Sequence, residues 1–262
     1  MLDNSPFDLT GKVALVTGGN SGIGLGMAEG LASHGADIAI WGTNPDKNDA
    51  AVDQLGQYDV EVLSIVCDVS DEAAVVAAMT DTVNELGRID AVFVNAGVSS
   101  GSSSFVDMAT DDWRRVMAVN LDGAFFTARE AARHMVARHE SGDEAGGSIV
   151  FTTSGSAFYG QQSGQNYGAS KAGVNAMMKG IAVQHARHGI RANSVLPGWI
   201  ETEMTAPAMG WDRFVANVLP RVPERRWGRA DDFAGIAVYF ASDASRYHTG
   251  DVVTIDGGYH SF

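Results

Sequence analysis

The segment Lys12-Val-Ala-Leu-Val-Thr17-Gly18-Gly-Asn-Ser-Gly22-Ile-Gly24 decides the fold of this chain. It begins with an apolar run of strand length, and an apolar stretch with a helical period follows over residues 23–33. A strand, a glycine-rich turn and a helix in this order can hold phosphate groups. Small residues let the main chain approach a pyrophosphate, and the start of the helix offers free N–H groups. The segment therefore predicts a dinucleotide-binding βαβ unit.

Strand and helix patterns alternate along the rest of the chain, which is typical of a parallel sheet covered by helices on both faces. The predicted strands are 13–17, 38–41, 61–66, 91–95, 148–153, 191–195 and 251–255. The predicted helices are about 22–33, 46–56, 71–86, 111–138, 166–187 and 230–241. No repeat or linker divides the 262 residues. The expectation is a single doubly wound α/β domain over 1–262, with a seven-stranded parallel sheet flanked by helices.

Composition excludes several classes of function. The net charge of −14 argues against nucleic acid as a partner, because phosphates require a basic patch. No run approaches the ~20 apolar residues that span a bilayer, and the first residues lack the pattern of a signal peptide. A single cysteine, Cys67, suits a reducing compartment, and the seven histidines show no metal-ligand spacing. We therefore expect a cytoplasmic protein with no membrane partner and no metal site.

Tyr167 and Lys171 lie four residues apart in Tyr-Gly-Ala-Ser-Lys, so on a helix they project from one face. A phenol with a pKa of about 10 is a poor base at neutral pH, whereas a neighbouring ammonium lowers that pKa. Ser154, at the end of an apolar run, could hold a substrate oxygen beside the phenol. An exposed helix pair without chemical function has the same spacing, so the rest of the chain must decide between the two interpretations.

Taken together, the motifs resemble the short-chain dehydrogenase/reductase family over essentially the whole chain. The family's markers occur here in the family's order: Thr17-Gly18-x3-Gly22-x-Gly24, Cys67-Asp68-Val69, Asn95-Ala96-Gly97, Asn120, Ser154, Tyr167-x3-Lys171, and Pro197-Gly198 with Thr202. The resemblance implies a Rossmann-type fold and an NAD(P)-dependent oxidoreductase. The implied reaction interconverts a secondary alcohol and a ketone by hydride transfer.

By the same resemblance, four residues are catalytic: Asn120, Ser154, Tyr167 and Lys171. Tyr167 would act as the general acid–base, Ser154 would hydrogen-bond the substrate oxygen, and Lys171 would lower the Tyr167 pKa and bind the nicotinamide ribose. Asn120 would hold a water in a proton relay. An asparagine inside an apolar helix is costly unless it is hydrogen-bonded, so a structural role at a helix kink remains the alternative for Asn120.

The resemblance also implies a cofactor site made from the turns that follow the strands. Its predicted residues are Gly18, Asn20, Ser21, Gly22, Ile23, Gly24, Thr43, Asn44, Asp68, Val69, Asn95, Ala96, Gly97, Tyr167, Lys171, Pro197, Gly198, Ile200 and Thr202.

The end of the second strand decides between NAD and NADP, because the ribose 2′ position is read there. The chain departs from both usual patterns, since Gly42-Thr43-Asn44 offers neither the acidic residue of NAD enzymes nor the arginine of NADP enzymes. Lys47 is the nearby cation in an acidic chain, and an unpaired phosphate is expensive to bind. The sequence therefore favours NAD over NADP.

Residues 201–229 contain three prolines and several large apolar side chains, a pattern typical of a mobile flap over a site. Packing of these side chains against the body of the protein explains the pattern as well. The predicted substrate contacts are Ser156, Phe158, Tyr159, Trp199, Met204, Met209 and Trp211.

Few basic residues lie close to these positions, Arg213 being the main one, so nothing obvious binds a phosphate or a carboxylate. The mostly apolar character of the set favours an uncharged, moderately hydrophobic alcohol or ketone. A polyol is the alternative, with hydrogen bonds from Gln161, Gln162, Gln165 and Asn166. Family resemblance further implies a homotetramer built from helices 111–138 and 166–187 and from the tail, residues 259–262.

Two other functions remain open on this scaffold. One is an epimerase, dehydratase or dehalogenase; the other is a nucleotide-sensing protein without turnover. The complete set of Ser154, Tyr167 and Lys171, with the glycine turn, favours hydride transfer, although epimerisation uses the same set. The presence of all four catalytic residues argues against a sensor without turnover.

Overall fold

The computed structural model describes residues 5–99, 104–143 and 146–261, so Phe262 of the predicted tail lies outside the described residues. The strands are β1 (Val13–Thr17), β2 (Asp37–Gly42), β3 (Val62–Val66), β4 (Ala91–Val94), β5 (Gly147–Thr152), β6 (Ile190–Pro197) and β7 (Val252–Ile255). They form one seven-stranded sheet in the order β3-β2-β1-β4-β5-β6-β7, and every pairing in it is parallel. The predicted fold class is confirmed, with each strand ending within two residues of its predicted bounds.

Strand β1 lies at the point where the strand order reverses, since it pairs with β2 on one side and β4 on the other. In an open parallel sheet this switch point leaves a crevice beyond the carboxyl ends of the strands. Thr17 of β1, Thr152 of β5 and Pro197 of β6 end their strands at that edge. The topology thus brings together motifs that are far apart in sequence.

Helices cover both faces of the sheet and bury two apolar cores. On one face lie α1 (Gly22–Ala32), α2 (Pro45–Leu55) and α9 (Ala234–Ala241); on the other lie α3 (Glu72–Leu86), α5 (Gly123–Glu140) and α6 (Gln165–His185). Ala14 and Val16 of β1 face the first core and Leu15 faces the second, as the two-residue period of a strand requires. Within the described part of the chain, no helix has both the length and the apolar character needed to cross a bilayer.

The helix predicted over 111–138 is not continuous. It consists of α4 (Thr110–Met117), a π-helical turn (Ala118–Asp122) and α5. The Asn120 side chain leaves the turn and pairs with the main chain of Val98: its Oδ1 accepts from the Val98 N–H at 2.8 Å, and its Nδ2 donates to the Val98 carbonyl at 3.0 Å. A π-turn accommodates one extra residue in a helix, and here it contains the residue that bonds outside the helix.

The proline-rich segment 201–229 contains two short helices, α7 (Ala206–Met209) and α8 (Asp212–Val218). Phe214 of α8 packs edge-on against Trp199 and stacks near Trp227, at centroid distances of 4.8 and 6.1 Å. Trp211 remains 59% exposed. Some of the large apolar residues therefore pack together as the second interpretation predicts, while others face solvent.

Candidate active site

The glycine-rich turn after β1 presents bare main chain to the crevice. Gly18 and Gly22 have φ angles of +63° and +53°, a region that favours glycine. A Cβ on Gly24 would lie 2.2 Å from the Gly18 carbonyl oxygen, so no side chain fits there. Ser21 makes no side-chain cap at the start of α1, and the first N–H groups of the helix remain available to an anion.

A cavity of about 680 Å³ opens in front of this turn. We call it the nucleotide cavity. The predicted cofactor-binding residues that line it are Gly18, Asn20, Ser21, Ile23, Thr43, Asn44, Asp68, Val69, Asn95, Ala96, Gly97, Tyr167, Lys171, Pro197, Gly198, Ile200 and Thr202. Gly22 and Gly24 shape the turn without lining the cavity. Lys47 and Arg115 also line it, although neither is among the predicted cofactor-binding residues.

Asn95 fixes the floor of the nucleotide cavity by joining three strands. Its Nδ2 donates to the Thr17 carbonyl oxygen at 3.1 Å, and its Oδ1 accepts from the Thr152 hydroxyl at 3.0 Å. Its main-chain N–H donates to the Thr17 hydroxyl at 3.0 Å. The ends of β1, β4 and β5 are therefore held in a fixed relation by one side chain.

A second cavity of about 620 Å³ adjoins the first, and we call it the substrate cavity. Both cavities have walls formed in part by Ser154, Tyr167, Pro197, Gly198, Met204 and Thr205. Of the predicted substrate contacts, Ser156, Tyr159, Trp199 and Met204 line the substrate cavity, and Phe158, Met209 and Trp211 do not. Gln161 of the polyol alternative lines it, whereas Gln162, Gln165 and Asn166 do not.

Ser154 and Tyr167 lie at the junction of the two cavities. The Ser154 Oγ accepts a hydrogen bond from the Ser156 main-chain N–H at 3.3 Å, which orients the hydroxyl. Burial raises the pKa of the Tyr167 phenol, and the hydrogen bond with the Ser154 hydroxyl lowers it only in part. The sequence predicts a lowered pKa for Tyr167, but in the structure the loss of water around the phenolate is the larger effect.

Lys171 is buried, with 4% of its surface exposed. Its Nζ donates to the Thr152 carbonyl oxygen at 2.7 Å and lies 5.7 Å from the centre of the Tyr167 ring. Burial lowers the pKa of the Lys171 ammonium to about 8. The predicted four-residue spacing therefore places both side chains in one wall of the nucleotide cavity.

Asn120 connects the π-turn to α6, the helix that carries Tyr167 and Lys171. Besides its two bonds with Val98, its Nδ2 lies 3.4 Å from the Ser170 hydroxyl, which neighbours Lys171 on α6. A Cβ on Gly97 would meet Asn120 Oδ1 at 3.3 Å and the Lys171 Nζ at 3.6 Å. Gly97 thus keeps the space in front of both residues open.

Among the lining residues of the substrate cavity that were not predicted as site residues from the sequence are Arg221, Tyr259 and His260. Arg213, the basic residue that the sequence places near the site, does not line the cavity. A local pattern that could have indicated the tail is the four-residue spacing of Asp256 and His260, whose carboxylate Oδ2 and ring Nδ1 lie 2.7 Å apart. Among the residues described, no group of three or more His, Cys, Asp or Glu side chains is placed to hold a metal ion.

The chain is similar to known proteins over nearly its full length. Residues 18–260 match a family model described as enoyl-(acyl carrier protein) reductase. An L-rhamnose 1-dehydrogenase (NAD(P)(+)) from Sphingomonas sp. (strain SKA58) is 37% identical over 254 residues, which is 95% of this chain and 96% of that protein.

Two solved structures show the same likeness in three dimensions. A short-chain type dehydrogenase/reductase from Mycobacterium marinum superposes with a TM-score of 0.90 at 36% identity, covering 97% of both chains. A gluconate 5-dehydrogenase from Burkholderia cenocepacia J2315, solved with NADP and tartrate, gives a TM-score of 0.91 at 35% identity, covering 98% of both chains. The likeness therefore includes the turns and loops as well as the sheet.

Proposed function

We propose that this chain, which belongs to the short-chain dehydrogenase/reductase family, uses Tyr167 as the general acid–base of its reaction. The chain is an NAD(P)-dependent oxidoreductase that interconverts an alcohol and a ketone. One observation carries the proposal: Tyr167 and Ser154 belong to the walls of both cavities. A group at this junction can touch a substrate in one cavity beside a ligand in the other.

The residues of the nucleotide cavity fit NAD(P)(H). The bare turn at Gly18 and Gly22 and the free start of α1 suit a pyrophosphate. Asp68 and Val69 would hold the adenine end, and Lys171 the nicotinamide ribose. Residues Pro197, Gly198, Ile200 and Thr202 would hold the nicotinamide itself. When bound, the dinucleotide accepts or donates the hydride.

The chain's own side chains handle the proton. In oxidation, Tyr167 Oη takes the hydroxyl proton of the alcohol; in reduction it returns a proton to the carbonyl oxygen. Ser154 Oγ holds that oxygen in place. The raised pKa of Tyr167 keeps the phenol protonated at neutral pH, which suits it to act as the acid in ketone reduction. The positive charge of Lys171 stabilises the phenolate when it forms.

For Asn120 we propose a positioning role. Both ends of its amide are engaged by the Val98 main chain, and its Nδ2 also approaches Ser170. These bonds support the helix-kink alternative over direct participation in a proton relay. Asn120 then acts through the placement of α6, which carries Tyr167 and Lys171.

We propose NAD(H) as the preferred coenzyme. Lys47 lines the nucleotide cavity, but its Nζ lies 2.5 Å from Glu203 Oε2, so its charge is already compensated. Asn44 uses its side chain to cap α2 by accepting from the Lys47 N–H at 3.0 Å. These contacts leave little positive charge beside Thr43 and Asn44 for a 2′-phosphate, and Arg115, the other arginine or lysine besides Lys47 and Lys171 among the described lining residues, donates to the Ser99 carbonyl oxygen at 3.1 Å. The Burkholderia relative is solved with NADP, so a direct comparison of both coenzymes is the decisive measurement.

For the substrate we propose a polyhydroxylated secondary alcohol or the matching ketone. Of the apolar residues on which the predicted hydrophobic substrate depends, Phe158, Met209 and Trp211 do not line the substrate cavity, whereas Tyr159, Trp199 and Met204 do. Its described polar wall includes Ser99, Ser156, Gln161 and Ser163. Hydroxyl and amide groups of this kind suit a polyol, and the two relatives described above are an L-rhamnose 1-dehydrogenase and a gluconate 5-dehydrogenase.

We also propose that residues 201–229 form a flap over the substrate in a single catalytic domain. Met204, Thr205, Ala208 and Arg221 bring this segment into the cavity wall. Both short helices in it are partly exposed, and exposed segments are among those that open most readily.

We propose a homotetramer in the cytoplasm. An apolar groove of about 490 Å³ runs between α5 and α6, and its walls include Phe125, Ala128, Val136, Met177 and Ile181. A second copy would bury this groove, and the small residues of both helices permit close approach. The buried, unpaired Cys67 requires no oxidising compartment.

The proposed function is tested by a substrate screen with both coenzymes. Polyols, sugar acids, and cyclic and aryl ketones are assayed with NAD(H) and NADP(H) in both directions. Turnover of at least one polyol, lost in Tyr167→Phe, is the expected result. Efficient turnover of aryl ketones together with no activity on any polyol would contradict the proposed substrate type.

A further inference from the structure

The substrate cavity has a positively charged region that oxidation of a neutral polyol does not require. Arg221 carries the one full charge among the described residues that line it, and His260 is the other basic side chain there. No aspartate or glutamate appears among those lining residues. In a protein of net charge −14, a cavity whose ionic groups are exclusively basic indicates an anionic ligand.

Arg221 differs from the arginines that follow it in having no side-chain hydrogen bond within the described residues. Arg226 makes two hydrogen bonds with Asp232, at 2.6 and 2.8 Å, and Arg225 donates to the Pro220 carbonyl oxygen. Arg221 forms no salt bridge with any residue in the described part of the chain. Its guanidinium lies over the Tyr259 ring, 4.8 Å from the centroid. The five N–H donors of this group are therefore available to a ligand.

A series of contacts fixes the position of the Tyr259 ring, on which the Arg221 guanidinium packs. Asp256 Oδ2 accepts from the His260 ring and from the His260 main-chain N–H, at 2.7 and 2.8 Å. The His260 ring also stacks on Tyr159 at 4.8 Å and abuts Gly155, where a Cβ would lie 2.1 Å from His260 Nε2. Burial raises the Asp256 pKa, but the hydrogen bonds from His260 and Gly258 outweigh this, so the carboxylate stays ionised. Tyr259 is thereby held beneath Arg221.

We infer that Arg221 binds a carboxylate of the substrate, and that the natural substrate is a polyhydroxylated carboxylic acid or the corresponding keto acid. The planar guanidinium matches a carboxylate through two parallel hydrogen bonds. Tyr167 and Arg221 line the same cavity, so one molecule presents its reacting carbon to the first and its carboxylate to the second. The carboxylate takes no part in the bond changes. This inference rests on the proposed function and specifies the substrate class of the same site.

The test compares the turnover of carboxylic acids with that of uncharged analogues of similar shape. Aldonic acids of four to six carbons, D-gluconate among them, are assayed beside their primary amides with the wild type and three variants. Arg221→Gln removes the positive charge, whereas Arg221→Lys keeps the charge but loses the planar guanidinium that makes two parallel hydrogen bonds. Arg213→Gln is the matched control, because Arg213 lies in the same segment but outside the cavity. We expect Arg221→Gln to lower kcat/KM for the acids on the order of 10- to 100-fold, mainly through KM, as for the loss of a hydrogen bond to a charged group. The amides should be unaffected, Arg221→Lys should fall between, and Arg213→Gln should match the wild type.

A binding measurement separates this inference from the proposed function. Calorimetric titration of the acids is performed in the presence of NADH, with which an alcohol does not react. Binding to the wild type that weakens at least tenfold in Arg221→Gln supports the carboxylate site. Equal affinity of acid and amide in the wild type, or an equal loss of both in Arg221→Gln, overturns it. If the acids bind through Arg221 but none is turned over, the proposed function fails and the carboxylate site stands.

Discussion

Lys171 donates its buried Nζ to the main-chain carbonyl oxygen of Thr152, at 2.7 Å, from the helix that also carries Tyr167. The partner is a neutral carbonyl at the end of β5, and burial lowers the pKa of the Lys171 ammonium. A buried cation with a neutral partner costs stability, because the carbonyl replaces only part of its hydration. This buried charge, which lowers the stability of the protein, lies beside the proposed catalytic tyrosine.

We predict that Lys171→Met stabilises the protein and abolishes its activity. Methionine fills a similar length without a charge, so unfolding at pH 7 should require on the order of 2 kcal/mol more, after allowance for the lost hydrogen bond. Urea titration measures the change in the free energy of unfolding. Lys179→Met is the control, since Lys179 is exposed on the same helix, and it should leave both stability and turnover nearly unchanged.

The same difference in stability should depend on pH. The Lys171 pKa is lowered from 10.5 to about 8 in the folded protein, so between these values the unfolded chain binds more protons than the native one. The stability of the wild type relative to Lys171→Met therefore rises as the pH increases through this window. Below pH 8 the full cost of the buried charge remains. A difference that stays constant from pH 7.5 to 10 would show that burial does not depress the pKa of Lys171.

Tyr167→Phe should lower turnover by two or more decades, roughly the contribution of a general acid–base. Coenzyme affinity, followed by fluorescence titration, should stay within a few-fold, because the ring remains in the wall of the nucleotide cavity. In the wild type, the raised pKa of Tyr167 predicts that alcohol oxidation speeds up with rising pH as phenolate forms. Near-normal turnover of the phenylalanine variant on a confirmed substrate would show that Tyr167 is not the general acid–base.

Coenzyme preference should respond to the ion pair between Lys47 and Glu203. We expect the wild type to prefer NAD(H) modestly, and Glu203→Gln to raise kcat/KM with NADP(H) by freeing Lys47 for the 2′-phosphate. Thr43→Arg should shift the preference further in the same direction by adding a charged fork. Ratios of kcat/KM for the two coenzymes measure both effects. A native preference of tenfold or more for NADP(H) would contradict the proposal.

The groove between α5 and α6 should be the main contact between copies of the chain. Phe125 lines this groove and is 42% exposed, so Phe125→Glu should place a charge in the contact and yield smaller assemblies in light scattering. Val76→Glu, on an exposed apolar position of α3, is the matched control and should leave the mass unchanged. If the wild type has the mass of one chain at micromolar concentration, the proposed tetramer is wrong.

Local patterns in the sequence predicted the strands because each strand is a short apolar run between clear turn residues. The glycine turn and the spacing of Tyr167 and Lys171 are local as well, so both could be placed before the structure was known. The structure adds what depends on contacts across the chain. Nothing near Asn120 in sequence shows that its amide pairs with Val98, and nothing near Tyr167 shows that His260 shares its cavity.

The same limit explains why the sequence pointed to Arg213, and not Arg221, as the main basic residue near the site. Arg213 and Arg221 lie eight residues apart in a segment whose path is set by prolines and by packing of Phe214 between two tryptophans. No periodic pattern tells which of them faces inward. The apolar character of the segment therefore suggested a hydrophobic substrate, although Thr205 and Arg221 reach the cavity as well as Met204 and Ala208.

The π-turn at Ala118–Asp122 makes this part of the chain intolerant of changes in length. Removing one residue would restore a regular helix, but each residue of an α-helix advances the face by about 100°. Ala124, Ala128 and Ala131 of α5 would then turn away from the core in which they are now buried, while Asn120 could no longer reach Val98. The number of residues between α4 and α5 is therefore fixed by two requirements at once: the contact of Asn120 with Val98 and the burial of the α5 alanines.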